Sequence, residues 1–199
     1  MLYMSPASRL GAACLLQILH RPRLFICARP MPNYLVGEVR LSAHEDPMQE
    51  SDISAEFFKT VSATPLAAAI HGQCFKPGWS ESDFISAFGV PGTVLEVLSL
   101  ADQPVAIALY RQIIDEAEIL TLGTLPAYRE KGLAGQLLEK GFHYLRQNKA
   151  TFLYLEVGAE NIPAQRLYTS KGFIESGRRP NYYNHDAGYE DALMMKRSL

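Results

Sequence analysis

Two strand patterns separated by an amphipathic helix constrain this chain most. "AEILTLGTL" (117–125) and "TFLYLEV" (151–157) are short apolar runs rich in branched and aromatic residues. Such runs read as strands. Between them, "YREKGLAGQLLEKGF" (128–142) opens a helix whose apolar stripe is Leu133, Leu137, Leu138, Phe142 and Leu145. Glu130, Lys131, Gln136, Lys140 and Gln147 oppose that stripe. A strand–helix–strand unit implies parallel pairing, and so an α/β sheet.

The elements upstream read differently. "TVLEVLSL" (93–100) and "VAIALYRQI" (105–113) are strand patterns joined by Ala-Asp-Gln-Pro, which points to an antiparallel meander running into the parallel unit. Before them, Pro65 to Phe75 has the spacing of a helix with Leu66, Ala69, Ile70 and Cys74 on one side. Ser80 and Asp83 form a capped start for a second helix that ends at Gly89. Downstream, "PAQRLYTSKG" (163–172) is a short helix with Pro163 near its start and Gly172 as its stop. "FIESG" and "YEDALMMKR" close the domain as strands. Gly123 inside a strand predicts a bulge or a close approach of backbone.

Residues 51–199 therefore read as one domain, and residues 1–50 as something else. That first segment has no acidic residue before Glu38, while Arg9, Arg21, Arg23, Arg29 and Arg40 are spread along it and five prolines interrupt it. It reads as a poorly ordered extension, or as translation assigned from too early a start, with Met48 as the true one. An arginine-rich, acid-poor start also fits an organellar transit peptide. The stretch Leu10–Leu19 resembles a short signal core but is followed by His-Arg-Pro-Arg rather than by a cleavage site. A formal net charge of −2 provides no global field for nucleic acid or an anionic membrane. Cys14, Cys27 and Cys74 have no metal-type spacing and suggest free thiols in a reducing, cytoplasmic setting. The histidines are scattered, and no metal is expected.

Gly132, Ala134 and Gly135 stand where the long helix begins. A glycine in a helix costs roughly 0.5–1 kcal/mol relative to alanine, so its placement there needs a reason. A helix N-terminus exposes unpaired N–H groups and a partial positive charge, and it takes phosphate when side chains do not block the way. Arg129 and Lys131 add charge beside it. The same small residues also suit tight packing on the sheet, so the motif alone leaves both readings open. A second constellation lies downstream. Glu156 interrupts an apolar strand, where glutamate is disfavoured, Asn161 follows at the turn, and Tyr168 sits on the next helix.

Together these residues resemble the GCN5-related N-acetyltransferases. Arg-x-x-Gly-x-Ala at 129–134 is similar to that family's pyrophosphate motif, and "LEVGAENIPAQRLYTSKGF" (155–173) to the next part of its acetyl-CoA site. "CFKPGWSESDF" (74–84) and "RRPNYYNHDAGYEDALMM" (178–195) extend the likeness to the branch that acetylates the N-terminal alanine of a small-subunit ribosomal protein. The resemblance implies a mixed central sheet with helices on both faces and parallel strands splayed at the acetyl-CoA site. It implies Glu156 as general base and Tyr168 as general acid. Leu122, Gly123 and Thr124 would pair with the pantetheine arm, and Arg129, Glu130, Lys131, Gly132, Leu133, Ala134 and Gly135 would form the phosphate loop. Asn161 would be a further cosubstrate contact. It implies a ribosomal-protein N-terminus as partner and a monomeric enzyme. Another protein amine, a small amine, or a non-catalytic acyl-CoA binding role are the alternatives.

The chemistry is attack of a free amine on a thioester. An α-amine has a pKa of about 7.7–8.0 and a lysine amine about 10.4, a difference of roughly 3–4 kcal/mol in deprotonation. A modest base thus favours an N-terminal acceptor. Glutamate near ~4.3 is a poor base for an ammonium, so Glu156 needs burial or a water relay. A backbone N–H near Thr124, freed by a bulge at Gly123, would serve the oxyanion.

Overall fold

The computed structural model describes residues 52–185 and 188–199, and the segment read as an N-terminal extension lies outside the described residues. The order is β1 (Ile53–Phe58), α1 (Thr64–Cys74), α2 (Glu81–Phe88), β2 (Thr93–Leu100), β3 (Gln103–Ile113), β4 (Glu116–Thr124), α3 (Leu133–Gln147), β5 (Phe152–Gly158), α4 (Ile162–Ser170), β6 (Ile174–His185) and β7 (Gly188–Ser198). Short 3₁₀ turns precede α1 and follow β4. The strands form one sheet in the order β1-β2-β3-β4-β5-β7-β6. Among the described residues only β4 and β5 pair in parallel, as the crossover helix requires.

Helices cover both faces. On one, the α3 stripe of Leu133, Leu137, Leu138, Phe142 and Leu145 is buried with Tyr168 and Phe173 against Ala106, Ala108, Leu153, Leu155 and Val157. On the other, Ala67, Ile70, Phe84 and Ala87 cover Leu95, Val97, Ile107 and Leu109. The α2 start is the expected capping box: Asp83 N–H donates to Ser80 Oγ at 3.3 Å, and Ser80 N–H donates to Asp83 Oδ2 at 2.8 Å. Such a cap contributes about 1 kcal/mol.

Three expectations need correction. The buried side of α1 is Ala67, Ile70 and His71, while Leu66 and Ala69 face solvent. The alanine run leaves the two sides of this helix nearly equal in apolarity, and His71 decides between them. Its Nδ1 accepts the Trp79 N–H at 2.9 Å, so its Nε2 carries the proton that meets Thr121 Oγ1 at 3.1 Å. Burial lowers its pKa to about 4, with Asp83 partly offsetting, and the ring stays neutral. Second, β1 has no counterpart in the sequence reading, and β6 runs well beyond "FIESG".

Third, the bulge in β4 is at Leu120, not Gly123. Ile119 pairs with Tyr110 and Thr121 with Leu109, so Leu120 is the extra residue. Leu120 and Thr121 both turn toward α1 and α2, and Leu122 returns to the α3 side. Gly123 pairs regularly with Ile107. Its missing side chain answers to close approach instead: a Cβ there would lie 3.0 Å from the Phe75 ring and 3.1 Å from Cys74 Sγ.

Candidate active site

The bulge makes the site. The last rung between β4 and β5 joins Ile119 to Leu155, and Leu120 comes immediately after it. A bulge adds twist to its strand, so β4 turns away from β5 at that point and the parallel pair opens. Leu125 N–H donates to the Val105 carbonyl at 2.9 Å. The alternation of an antiparallel ladder then aims the N–H groups of Leu122 and Thr124 away from β3, into the split. Thr124 Oγ1 is buried with no hydrogen-bond partner among the described residues.

At the end of β4 the chain turns through Pro126–Tyr128 and enters α3 through two positive-φ residues, Glu130 (φ 62°) and Gly132 (φ 77°). Gly132 is the N-cap and lies outside the helix proper. The left-handed conformation is one glycine adopts without steric cost. No side chain caps the helix. The first intrahelical bond runs from Gln136 N–H to the Gly132 carbonyl, so the amides of Leu133, Ala134 and Gly135 have no partner among the described residues. Nothing stands within 4 Å of where a Gly132 side chain would begin.

The other loop residues divide between this opening and the scaffold. Leu133 belongs to the core. Gly135 does not clear the opening; its absent side chain makes room for Lys171 Cε, 3.1 Å from where its Cβ would be. Arg129 braces the loop rather than projecting from it, since its Nε donates to the Thr124 carbonyl at 3.2 Å and its Nη2 to the Cys74 carbonyl at 3.3 Å. Lys131 lies over the Tyr128 ring at 5.5 Å. Asn161 caps α4, its Oδ1 accepting the Ala164 N–H at 3.2 Å.

Glu156 is the first residue of β5 past the last rung. Leu155 and Val157 face the α3 core, so Glu156 faces the other way. Its side chain is 14% exposed and paired with Arg179, Nε to Oε1 at 2.8 Å. Tyr182 also hydrogen-bonds to it. Tyr168 stands on the opposite side, packed edge-to-face on Phe173 at 5.6 Å. Its hydroxyl has no hydrogen-bond partner among the described residues. Burial, and to a lesser degree Tyr183, push its pKa up to about 12. The two side chains therefore lie on opposite faces of the sheet, and Tyr183 is within electrostatic reach of both.

The sequence reading missed that Arg179 and Tyr182 are partners of Glu156, although both lie in the stretch 178–195 that carries the family resemblance. It also missed Glu118, a largely buried carboxyl on β4. Burial first, then the negative charge of Glu156, raise its pKa, against Arg111 and Arg179. Trp79 packs on His71 and Phe84 at 5.5 and 5.3 Å. Among the described residues no group of His, Cys, Asp and Glu could hold a metal ion, and no helix is long and apolar enough to cross a membrane.

Among the described residues, a mixed sheet splits at one parallel pair beside an uncapped helix start, an α/β architecture open to a phosphate-bearing ligand. The chain belongs to the acetyltransferase (GNAT) family, whose model matches residues 65–173. It is 35% identical over 137 residues to the [ribosomal protein bS18]-alanine N-acetyltransferase of Salmonella typhimurium, covering 68% of this chain and 92% of the relative. The crystal structure of the ribosomal-protein-S18-alanine N-acetyltransferase from Escherichia coli superimposes with a TM-score of 0.68 at 31% identity, over 73% of this chain and 93% of that one. Arabidopsis thaliana NAA60 in complex with acetyl-CoA shares the fold, with a TM-score of 0.64 at 18% identity, over 74% of this chain and 98% of that one.

Proposed function

We propose that this chain transfers the acetyl group of acetyl-CoA to the N-terminal alanine amine of a ribosomal protein, the activity for which its Salmonella and Escherichia coli relatives are named. The observation that carries this reading is the position of Glu156, a carboxylate on an apolar strand at the point where the parallel pair parts.

The residues fit the cosubstrate. The open amides of Leu133, Ala134 and Gly135 and the bare surface over Gly132 suit a diphosphate. The unpaired edge of β4 from Leu122 to Thr124 suits an amide-bearing arm. Acetyl-CoA, when bound, supplies the activated acyl group.

Glu156 Oε takes the proton of the acceptor ammonium, directly or through water. An α-ammonium gives it up about 2 pKa units more readily than a lysine does, so an N-terminal acceptor needs less of the base. Tyr168 holds its proton. A phenol at about 12 cannot hand it fully to a sulfur with an acidity like that of a cysteine thiol, roughly 8.5, and acts as a hydrogen-bond donor to the leaving sulfur. Without the expected bulge at Gly123, the N–H groups of Leu122 and Thr124, directed by the bulge at Leu120, are the donors available to the oxyanion.

The test is acetylation of an Ala-starting peptide by the full chain and by Glu156→Gln. The variant should lose about 10²–10⁴ in kcat while binding acetyl-CoA as before. Equal turnover of both proteins would remove Glu156 from the chemistry. Activity confined to polyamines or lysine side chains would overturn the choice of acceptor.

A further inference from the structure

The β6 strand is irregular where it passes Glu156. Arg179 pairs with Ala192 and Tyr183 with Glu190, so register with β7 is lost across Pro180, Asn181 and Tyr182. Asn181 takes a positive φ of 53°. Asp191 pins this irregularity, accepting the Asn181 N–H at 2.9 Å and Arg178 Nη1 at 3.3 Å. On a regular strand Arg179 and Tyr182, three positions apart, would face opposite sides. Here both reach one carboxylate, that of Glu156, and the Arg179 guanidinium lies 5.5 Å from the centre of the Tyr182 ring. Glu156 is on β5, with β7 between it and β6. Ala192 is the residue of β7 level with Arg179, and its methyl leaves the guanidinium room to cross.

We propose that Arg179 is a positioning residue for the transfer reaction: set across β7 by the β6 irregularity, it holds the Glu156 carboxylate at the mouth of the split. This rests on Glu156 being the base. A glutamate has three side-chain torsions to fix, and at Glu156 β7 flanks the strand through Met194 while the β4 side is open past the last rung. The guanidinium, its Nε 2.8 Å from Oε1, holds the carboxylate to one side as an ion pair. Tyr182 limits the same group from a second side and supports the guanidinium with its ring. Arg179 itself need not touch the acceptor.

The experiment compares the full chain with Arg179→Met, Arg179→Lys, Tyr182→Phe and Glu156→Gln on an Ala-starting peptide. Arg179→Met should lower kcat by about ten- to a hundredfold and leave KM for acetyl-CoA within about twofold. Arg179→Lys should recover part of that kcat, because it returns the charge without the planar fork. Tyr182→Phe, which removes only a hydroxyl, should lower kcat by a few fold. An unchanged kcat in Arg179→Met, a loss that falls on KM for acetyl-CoA instead, or equal loss in the methionine and lysine variants would overturn the proposal while Glu156→Gln stays inactive. If Arg179→Met does not fold, full activity in Arg179→Lys and Tyr182→Phe together would overturn it. An active Glu156→Gln would instead sink the reading of Glu156 as base.

Discussion

The two ends of the split are built from different materials. At the α3 end the protein presents backbone: uncapped amides, a glycine at φ 77° and open space above it. At the β6 end it presents side chains: Arg179, Tyr182 and Glu156 lock one another, and Arg178 and Asn181 are tied to Asp191. On the proposed function, the α3 end would take any diphosphate, because amides read charge and not identity, and the β6 end would read the acceptor through side-chain shape and charge. Small residues and a turn suffice for the first; the second needs partners brought from three strands.

Breaking the backbone end should have the largest effect. Gly132→Glu forces a side chain into the left-handed region and places a carboxylate beside the open amides proposed to hold the diphosphate. Acetyl-CoA affinity by calorimetry should fall by more than about a hundredfold, or roughly 3 kcal/mol. Unchanged affinity would move the diphosphate away from α3. Gly132→Ala carries the backbone strain without the charge, and its smaller loss would separate the two causes.

Tyr168→Phe sharpens the comparison from inside. It removes one hydroxyl and leaves the ring on Phe173. Turnover should fall about tenfold with acetyl-CoA affinity within about twofold. A loss of affinity equal to the loss of kcat would make Tyr168 part of the binding end instead.

The smallest expected effect lies beneath α3. Gly141 lets the helix sit on the Tyr110 hydroxyl and on Glu96, and Tyr110 donates to Glu96 Oε2 at 2.9 Å. Glu96 is fully buried, and burial raises its pKa from 4.5 to about 8, against the Tyr110 hydrogen bond and Lys140. The folded state therefore prefers the neutral acid. That contribution is complete below about pH 4.5 and is lost as pH rises through about 8. Glu96→Gln keeps a neutral side chain at every pH. Its urea midpoint should fall less than that of the natural protein between about pH 5 and 9. Parallel slopes would assign the pH dependence to another group.

Much of the fold was legible because it depends on local patterns. The α3 stripe, the β2 strand and the Ser80–Asp83 cap each rest on residues close together in sequence, where periodicity and capping act directly. The α1 face was misread because three alanines between Leu66 and Ile70 carry little pattern, and the hydrogen bonds of His71 to Thr121 and Trp79 settled it. Gly123 signalled a bulge or a close approach, and only the close approach is there. Leu120 has no such sign; its role comes from a register offset between β3 and β4.

The sequence alone determined the parallel pair, since a helix between two strands allows no hairpin, and it determined the bare helix start, since glycine at 132 supplies a conformation other residues resist. Only the tertiary structure decided where the pair opens and what holds Glu156. Register is set by all the strands packing at once, and the reach of Arg179 across β7 exists only when three strands lie side by side.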